Sequence, residues 1–450
     1  MSYIETTMKK LQRSSPGQPE FYQATEEILQ SIRPLIDKHP QYLQQNIIER
    51  MVEPERQIMF RVVWHDDDGK VHVNKGYRVQ FSSTLGPYKG GIRFHPSVNA
   101  STIKFLGFEQ IFKNALTGLS LGGGKGGSDF DPKNRSEQEI MRFCQAFMTE
   151  LHRHIGATVD VPAGDIGVGK REIGYMFGQY KRLNGNFEGV LTGKGLNWGG
   201  SLVRSEATGY GLVYFTKNML QAHDDSLDGK RCLVSGAGNV AIHTIEKLYQ
   251  LGALPVSCSD STGTLYHEKG IDLILVRELK EQRRSSLIDY LESHSDAEFT
   301  PIDKYPKDGH AVWRIKADAA FPCATQNELT LADAKALSEN GINCIVEGAN
   351  MPCTADAQAH IIATGMHYGP AKAANAGGVA TSQLEMAQNA SMIQWSFTEV
   401  DKRLQEIMKD IYQRCSETAI EFHQPCNLAF GANIAGFRKV ADAMLEQGLV

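Results

Sequence analysis

Residues 228–241 read Asp-Gly-Lys-Arg-Cys-Leu-Val-Ser-Gly-Ala-Gly-Asn-Val-Ala. The apolar run ending at Val234 predicts a strand. Ser235–Gly238 predicts a tight turn, and Asn239 to Leu251 a helix closed by Gly252. A second apolar run, Leu254 to Ser259, ends at Asp260, so strand, Gly-x-Gly-x-x-Ala turn, helix, strand and terminal acid stand in register. Gly236 and Gly238 allow the turn and the close approach of a pyrophosphate. The N-terminus of the helix, at Asn239 and Val240, offers it free N–H groups and a favourable dipole. The plain alternative is a tight turn that binds nothing. A terminal acid such as Asp260 ordinarily accepts from a ribose 2′-hydroxyl and selects NAD. Here Ser261 and Thr262 follow it, and Lys280, Arg283 and Arg284 lie downstream. These groups suit a 2′-phosphate, or they are the solvated face of a basic helix.

Working outward, strands are predicted at Ala317–Phe321, Asn343–Val346 and Met366–Gly369. Each leads into a loop of small or amide residues, at 323–327, 347–350 and 375–378. Upstream, Gly193–Gly200 has little helix or strand signal and marks a domain boundary. The expected architecture is α/β in two domains. Residues 1–200 with 427–450 carry substrate and subunit contacts, the final helix, from about Asn433 to Gln447, returning to this domain. Residues 201–426 bind the dinucleotide. In the first domain a helical start of about 55 residues precedes strands at Ile58–Trp64 and Val71–Phe81, joined by a turn at Asp67–Gly69. Met59, Phe60 and Trp64 read as core of this region. Ser101–Leu116 is helical, with Gln110 and Lys113 three apart on one face. Ser136 and Glu139 form a capping box opening a helix to about His154. Thr158–Val161 reads as a strand that delivers Asp165 in a loop at its carboxyl end, where α/β sites lie.

That first domain holds the chemistry. Lys89 stands in Lys-Gly-Gly-Ile-Arg, Lys113 follows Gln110, Lys125 sits in Gly-Gly-Gly-Lys-Gly-Gly, and Asp165 closes Pro-Ala-Gly-Asp. Glycine on both sides of a lysine drives neither helix nor strand, so these segments read as loops shaped by what they approach. Lysine is a compact cation whose pKa falls on burial, which suits carbonyl and imine chemistry. Several cations around one carboxylate point to a small dianion with an acid/base group at its centre. Two readings of Asp165 stay open: a proton-transfer carboxylate, or a cap for the helix starting near Lys170.

The net charge of −5, without a block of like charge, argues against nucleic-acid partners. The chain shows neither a secretory h-region nor 18 consecutive apolar residues, so no membrane association is expected. The eight scattered cysteines form no CxxC and read as reduced thiols of a cytoplasmic protein, with no metal site.

At several stretches the chain resembles the hexameric glutamate dehydrogenases of bacteria and lower eukaryotes. These are YKGGIRFHPSV at 88–98, KFLGFEQIFKNALTGL at 104–119, GGGKGGSDFDP at 122–132, RFCQAFMTEL at 142–151, DVPAGDIGVGKREIGYMFGQY at 160–180 and GPAKAANAGGVATS at 369–382. The resemblance covers essentially the whole chain. It implies a substrate domain and a Rossmann-like domain separated by a cleft, a homohexamer, and reversible oxidative deamination of L-glutamate to 2-oxoglutarate and ammonium. It implies Lys125 and Asp165 as catalytic residues and Lys89 with Ser382 at the substrate γ-carboxylate. Gln110 and Lys113 fall at the α-carboxylate, and Gly90, Ala163 and Val379 in the substrate lining. Arg204, Thr208, Asn239, Asn350 and Asn375 become cofactor contacts. Ser259–Thr262 resembles the NADP-type members, so NADP is the expected coenzyme and NAD the alternative. Ser205 stands where the family usually carries proline, and Ser286 where a basic residue is expected. Other readings are a leucine, valine or phenylalanine dehydrogenase, which would leave Lys89 without a partner, and an inactive NADPH-binding scaffold.

Overall fold

The computed structural model describes residues 3–449. Two compact units result: Met1–Arg204 with Val379–Val400 and Asn433–Val450, and Ser205–Gly378 with Asp401–Ala432. This division differs from the expected one at Ser201–Arg204, at Asn427–Ala432 and at Val379–Val400. The last segment joins the first unit because its helix is bonded there: Glu385 accepts from the backbone N–H groups of Gly193 and Lys194, and the Asn389 amide donates to Gly199 O. Among the described residues no helix is long and apolar enough to cross a membrane.

The first unit is built on five strands: β1 Arg56–His65, β2 Val71–Ser82, β3 Tyr88–Phe94, β4 Gly123–Ser128 and β5 Asp160–Gly164. Their order is β1-β2-β4-β3-β5, with β3 parallel to β4 and β5 and the other pairs antiparallel. Val62, Trp64, Ile92 and Phe94 pack with Phe143 and Phe147 of the helix Glu137–Leu151, and with Ile173 and Met176 of the helix Lys170–Asn184. Ser136 and Glu139 form the expected capping box. Met59 is corrected: it is 69% exposed, because strand alternation sends positions 59, 61 and 63 to the face opposite Trp64.

The glycine-framed lysines are also corrected, since they lie in strands rather than loops. Packing explains the glycines. A Cβ on Gly123 would sit 2.9 Å from the Ile111 backbone of the helix Ala100–Leu116, and one on Gly90 only 1.8 Å from Gly124 O. Absent side chains therefore let this helix lie directly on β3 and β4, which carries Gln110 and Lys113 over Lys125. Under the sheet, Arg78 and Asp160 form a fully buried ion pair: Nε to Oδ2 is 2.8 Å, and Arg78 Nη1 also donates to Gly90 O at 3.2 Å.

The second unit contains a five-stranded parallel sheet of order β13-β12-β11-β6-β7, from β6 Arg231–Val234, β7 Leu254–Pro255, β11 Ala319–Phe321, β12 Cys344–Val346 and β13 His367–Gly369. The predicted strand 254–259 breaks at Val256. Its second half, β8 Ser257–Asp260, belongs to a three-stranded antiparallel sheet with β9 Gly263–Tyr266 and β10 Glu298–Pro301. Strand order reverses between β6 and β11, which is where ligands of open α/β sheets bind.

Candidate functional site

Register delivers the acid. With Ile92 opposite Gly164 in the parallel pair β3–β5, the next residues, Arg93 and Asp165, emerge side by side. Asp165 Oδ2 accepts from Lys125 Nζ at 2.8 Å and from Arg93 Nε at 3.1 Å. Burial alone would raise this carboxyl, but the two cations outweigh burial and hold it at about 2. Asp165 does not cap the following helix. Gly169 is the N-cap, and Glu172 accepts from its N–H at 2.8 Å. Lys113 interacts with Lys125, Asp165 and Glu109, and burial together with the Lys125 charge pulls it down to about 8. The Gln110 amide donates to Asn114 Oδ1 at 2.7 Å, and Asn114 in turn donates to Lys89 O and Gly122 O.

A second group of cations surrounds Lys89. Its fully buried Nζ donates to Thr192 Oγ1 at 2.8 Å. Burial drives its ammonium well below the ordinary lysine range, assisted by Arg204, Arg78 and Lys194 and opposed by Glu385. Lys194 and Glu385 form a buried pair at 2.8 Å. Arg204 has a buried Nε without a hydrogen-bond partner. Ser382 and Val379 lie one turn apart on the helix Gly377–Ser391, which also carries Glu385, and Ala163 faces Gly91 across β3–β5. Cations therefore outnumber carboxylates in both groups.

In the second unit, Gly236 takes φ +82 after β6. A Cβ there would come within 3.1 Å of Ala324 Cα in the loop after β11. Gly238 is the N-cap of the helix Asn239–Gln250, whose first residues are Asn239 and Val240, and a Cβ added to Gly238 meets nothing within 4 Å, so the N-cap borders open space. Asn239 donates to Ser205 O at 2.7 Å. Thr208 is in the first turn of the helix Ala207–Gln221. The Asn375 amide donates to Gly348 O, Ala349 O and Asn350 Oδ1, so these two asparagines sit together.

The Asp260 turn closes on itself. Oδ1 accepts from Thr262 N and Oγ1, and Oδ2 accepts from Lys280 Nζ at 2.8 Å and Leu287 N at 3.0 Å. Four donors saturate a carboxylate. Burial raises this group, and the Lys280 and Thr262 contacts override it, so Asp260 is held below its ordinary range. Ser286 Oγ lies 2.6 Å from Thr262 Oγ1, which places the departing serine against the same turn. Arg283, expected beside Lys280, instead pairs with Glu278 on the exposed helix.

Two family models match: Glutamate/Leucine/Phenylalanine/Valine dehydrogenase over residues 199–448, and the Glu/Leu/Phe/Val dehydrogenase dimerisation domain over 54–182. The chain belongs to the Glu/Leu/Phe/Val dehydrogenase family. An NADP-specific glutamate dehydrogenase of Helicobacter pylori (strain ATCC 700392 / 26695) is 60% identical over 447 residues, covering 99% of this chain and 100% of that one. One of Escherichia coli (strain K12) is 53% identical over 450 residues, covering 99% of each. The crystal structure of a Plasmodium falciparum glutamate dehydrogenase superposes with a TM-score of 0.96 at 50% identity, covering 99% of this chain and 95% of that one.

Within this amino-acid dehydrogenase, sequence reasoning missed Arg93, Thr192, Lys194 and Glu385. Lys194 carries the signal used for Lys125, since Gly193 and Gly195 flank it. Thr192 and Glu385 had none, because each acquires its partner only when distant segments meet.

Proposed function

We propose that the chain is an NADP-dependent glutamate dehydrogenase catalysing reversible oxidative deamination of L-glutamate to 2-oxoglutarate and ammonia. The observation carrying this is the pair of cation-rich groups in the first unit, one around Asp165 and one around Glu385, which suits a substrate with a carboxylate at each end. Lys113 and Gln110 bind the α-carboxylate. Lys89 binds the γ-carboxylate with Ser382, and Thr192 orients its ammonium. An apolar side chain would leave Lys89 buried and unpaired, which disfavours leucine, valine and phenylalanine as substrates.

The open helix start at Gly238, the Gly236 turn, Asn350 and Asn375 would hold a dinucleotide, with Arg204 and Thr208 contributing to its binding. The chemistry a bound dinucleotide would supply is a hydride acceptor for the substrate Cα. Asp165 takes a proton from the substrate amine and returns one to the departing nitrogen. Lys125, bonded to Asp165, orients and activates the water that attacks Cα of the iminium. In the free protein Asp165 is ionised, held low by two cations. Carboxylates of the bound substrate near Lys113 and Lys125 offset that positive field and bring the acid into a range where it can carry a proton.

NADP is favoured because Asp260 is saturated by internal donors and cannot accept from a 2′-hydroxyl. Its charge is offset by Lys280, and the adjacent Ser261 hydroxyl suits a 2′-phosphate. Oligomerisation is favoured by edge strand β1: Met59 and Val63, with Val71 and Val73 of β2, form an exposed apolar strip on one face of the sheet. A homohexamer follows the family resemblance. Eight free cysteines, seven of them buried, suit a cytoplasmic location. Steady-state rates with glutamate and each coenzyme test the reading. Glutamate-dependent reduction of NADP supports it, and turnover of leucine in place of glutamate, or preference for NAD, refutes it.

A further inference from the structure

We propose that His267, His294 and Asp296 form a site for one divalent transition cation of the zinc or cobalt class. The sequence suggests no metal, and these residues have no ligand-like spacing; the sheet assembles them. His267 follows β9, while His294 and Asp296 lie in the turn that enters β10. Because Tyr266 pairs with Glu298 in the antiparallel β9–β10 ladder, the chain leaving β9 runs beside the chain entering β10. One donor atom from each of the three residues falls within 4.8 Å of the others.

The buried imidazole supplies an independent indication. His267 is 5% exposed, yet its Nε2 is buried without a hydrogen-bond partner, a costly arrangement for a polar atom. That nitrogen lies 3.6 Å from Asp296 Oδ1. Metal bonds of about 2.0–2.2 Å at tetrahedral angles imply donor–donor edges of about 3.4 Å, so this pair is already nearly spaced for a shared ion. His267 Nδ1 is 2.9 Å from Tyr290 Oη, which accepts from Asp272 N. With Nδ1–H donating to Tyr290, the Nε2 lone pair is directed at the ion, as outer partners commonly arrange. His294 stacks on Tyr290 with ring centroids 4.7 Å apart, and its Nε2 lies 3.1 Å from Asp272 Oδ2. Two imidazoles and one carboxylate suit zinc, cobalt or nickel rather than magnesium or calcium. His294 and Asp296 are partly exposed, so an ion can enter and water can complete the coordination.

Lys269 is the competing cation. Its Nζ contacts Asp296 Oδ2 at 2.7 Å on a stem that is 79% exposed, leaving Oδ1 for the ion. Bound metal would tie the end of segment 287–296 to β9. The other end of that segment donates Leu287 N–H to Asp260.

The test uses the full-length, chelator-treated protein titrated with Co²⁺, followed by visible absorption, and with Zn²⁺ in competition. One ion per chain is expected, with ligand-field bands of a nitrogen–oxygen site. Asp296→Asn and His294→Gln should each weaken binding by about tenfold to a hundredfold or more. Lys269→Met should tighten it, a change of sign that a merely structural role would not give. Circular dichroism of the metal-free variants establishes that they fold. Absence of cobalt binding, equal affinity in Asp296→Asn and His294→Gln, or sulfur-to-cobalt charge-transfer bands indicating a cysteine site would each overturn the proposal.

Discussion

Replacing Asp165 by asparagine keeps the shape and removes the charge that two cations hold in place. The carboxyl is drawn from 3.8 to about 2. At about 1.4 kcal/mol per pKa unit, that depression contributes about 2 kcal/mol to folding at neutral pH. The sign is that of a lowered acid. The contribution is complete above the unfolded value near 4 and is lost as pH falls through about 2. Asp165→Asn should therefore unfold more easily than the parent in urea at pH 7, and the two curves should converge as pH approaches 2. Catalysis should respond separately. Loss of the proton carrier should lower kcat by at least ~100-fold, within the range of general acid–base groups. Affinity for 2-oxoglutarate should hold or improve, because Lys125, Arg93 and Lys113 lose their counter-charge. Stopped-flow kinetics, calorimetric binding and denaturation across pH give all three readouts. Near-normal turnover in Asp165→Asn would refute the assignment, whatever the stability data show.

Lys89→Leu should lose a charge-assisted contact of ~1.5–3 kcal/mol, lowering kcat/KM for glutamate by about 10- to 150-fold while norvaline gains; steady-state kinetics on both substrates decide. Removing a buried, pKa-depressed ammonium should leave the thermal melting temperature of this variant at or above that of the parent. Lys113 is drawn down to about 8, so 2-oxoglutarate, which needs its charged form, should bind more weakly as pH rises above that value and take up protons on binding. Calorimetry in buffers of different ionisation enthalpy measures the uptake, and Lys113→Met should diminish it. Lys280→Ala should weaken NADPH by about tenfold to a hundredfold with NADH nearly unchanged, whereas Arg283→Ala, whose guanidinium is held by Glu278, should alter neither; fluorescence titration separates the two. Arg78→Met strands Asp160 in the core and should cost about 3–5 kcal/mol in denaturant unfolding, since breaking one partner of a buried pair leaves an uncompensated charge.

Local signals alone defined the glycine turn of the dinucleotide half and the strand and helix on either side of it. A strand, two glycines at fixed spacing, a helix and a terminal acid are neighbours in sequence and remain neighbours in space, so β6, its turn and the following helix were legible from 228–260. The capping box at Ser136–Glu139 was legible for the same reason. Lys89 and Lys125 were legible as chemistry but misplaced as structure, whereas Asp165 lies just past the carboxyl end of β5, as the sequence implied. Glycine's poor strand propensity says nothing of a helix pressed so closely on β4 that no Cβ fits, and only the packed fold shows that the glycines make room for the helix. Other features depended entirely on tertiary structure. The pairing of Arg93 with Asp165 comes from parallel register, and the saturation of Asp260 needs Lys280 and Leu287 from beyond the hairpin. The Glu385 carboxylate meets Lys194 only because a late helix returns to the first unit. Charge balance in a buried site is a sum over groups far apart in the chain; sequence supplies the charges, but the fold sets the distances that decide which of them are neutralised.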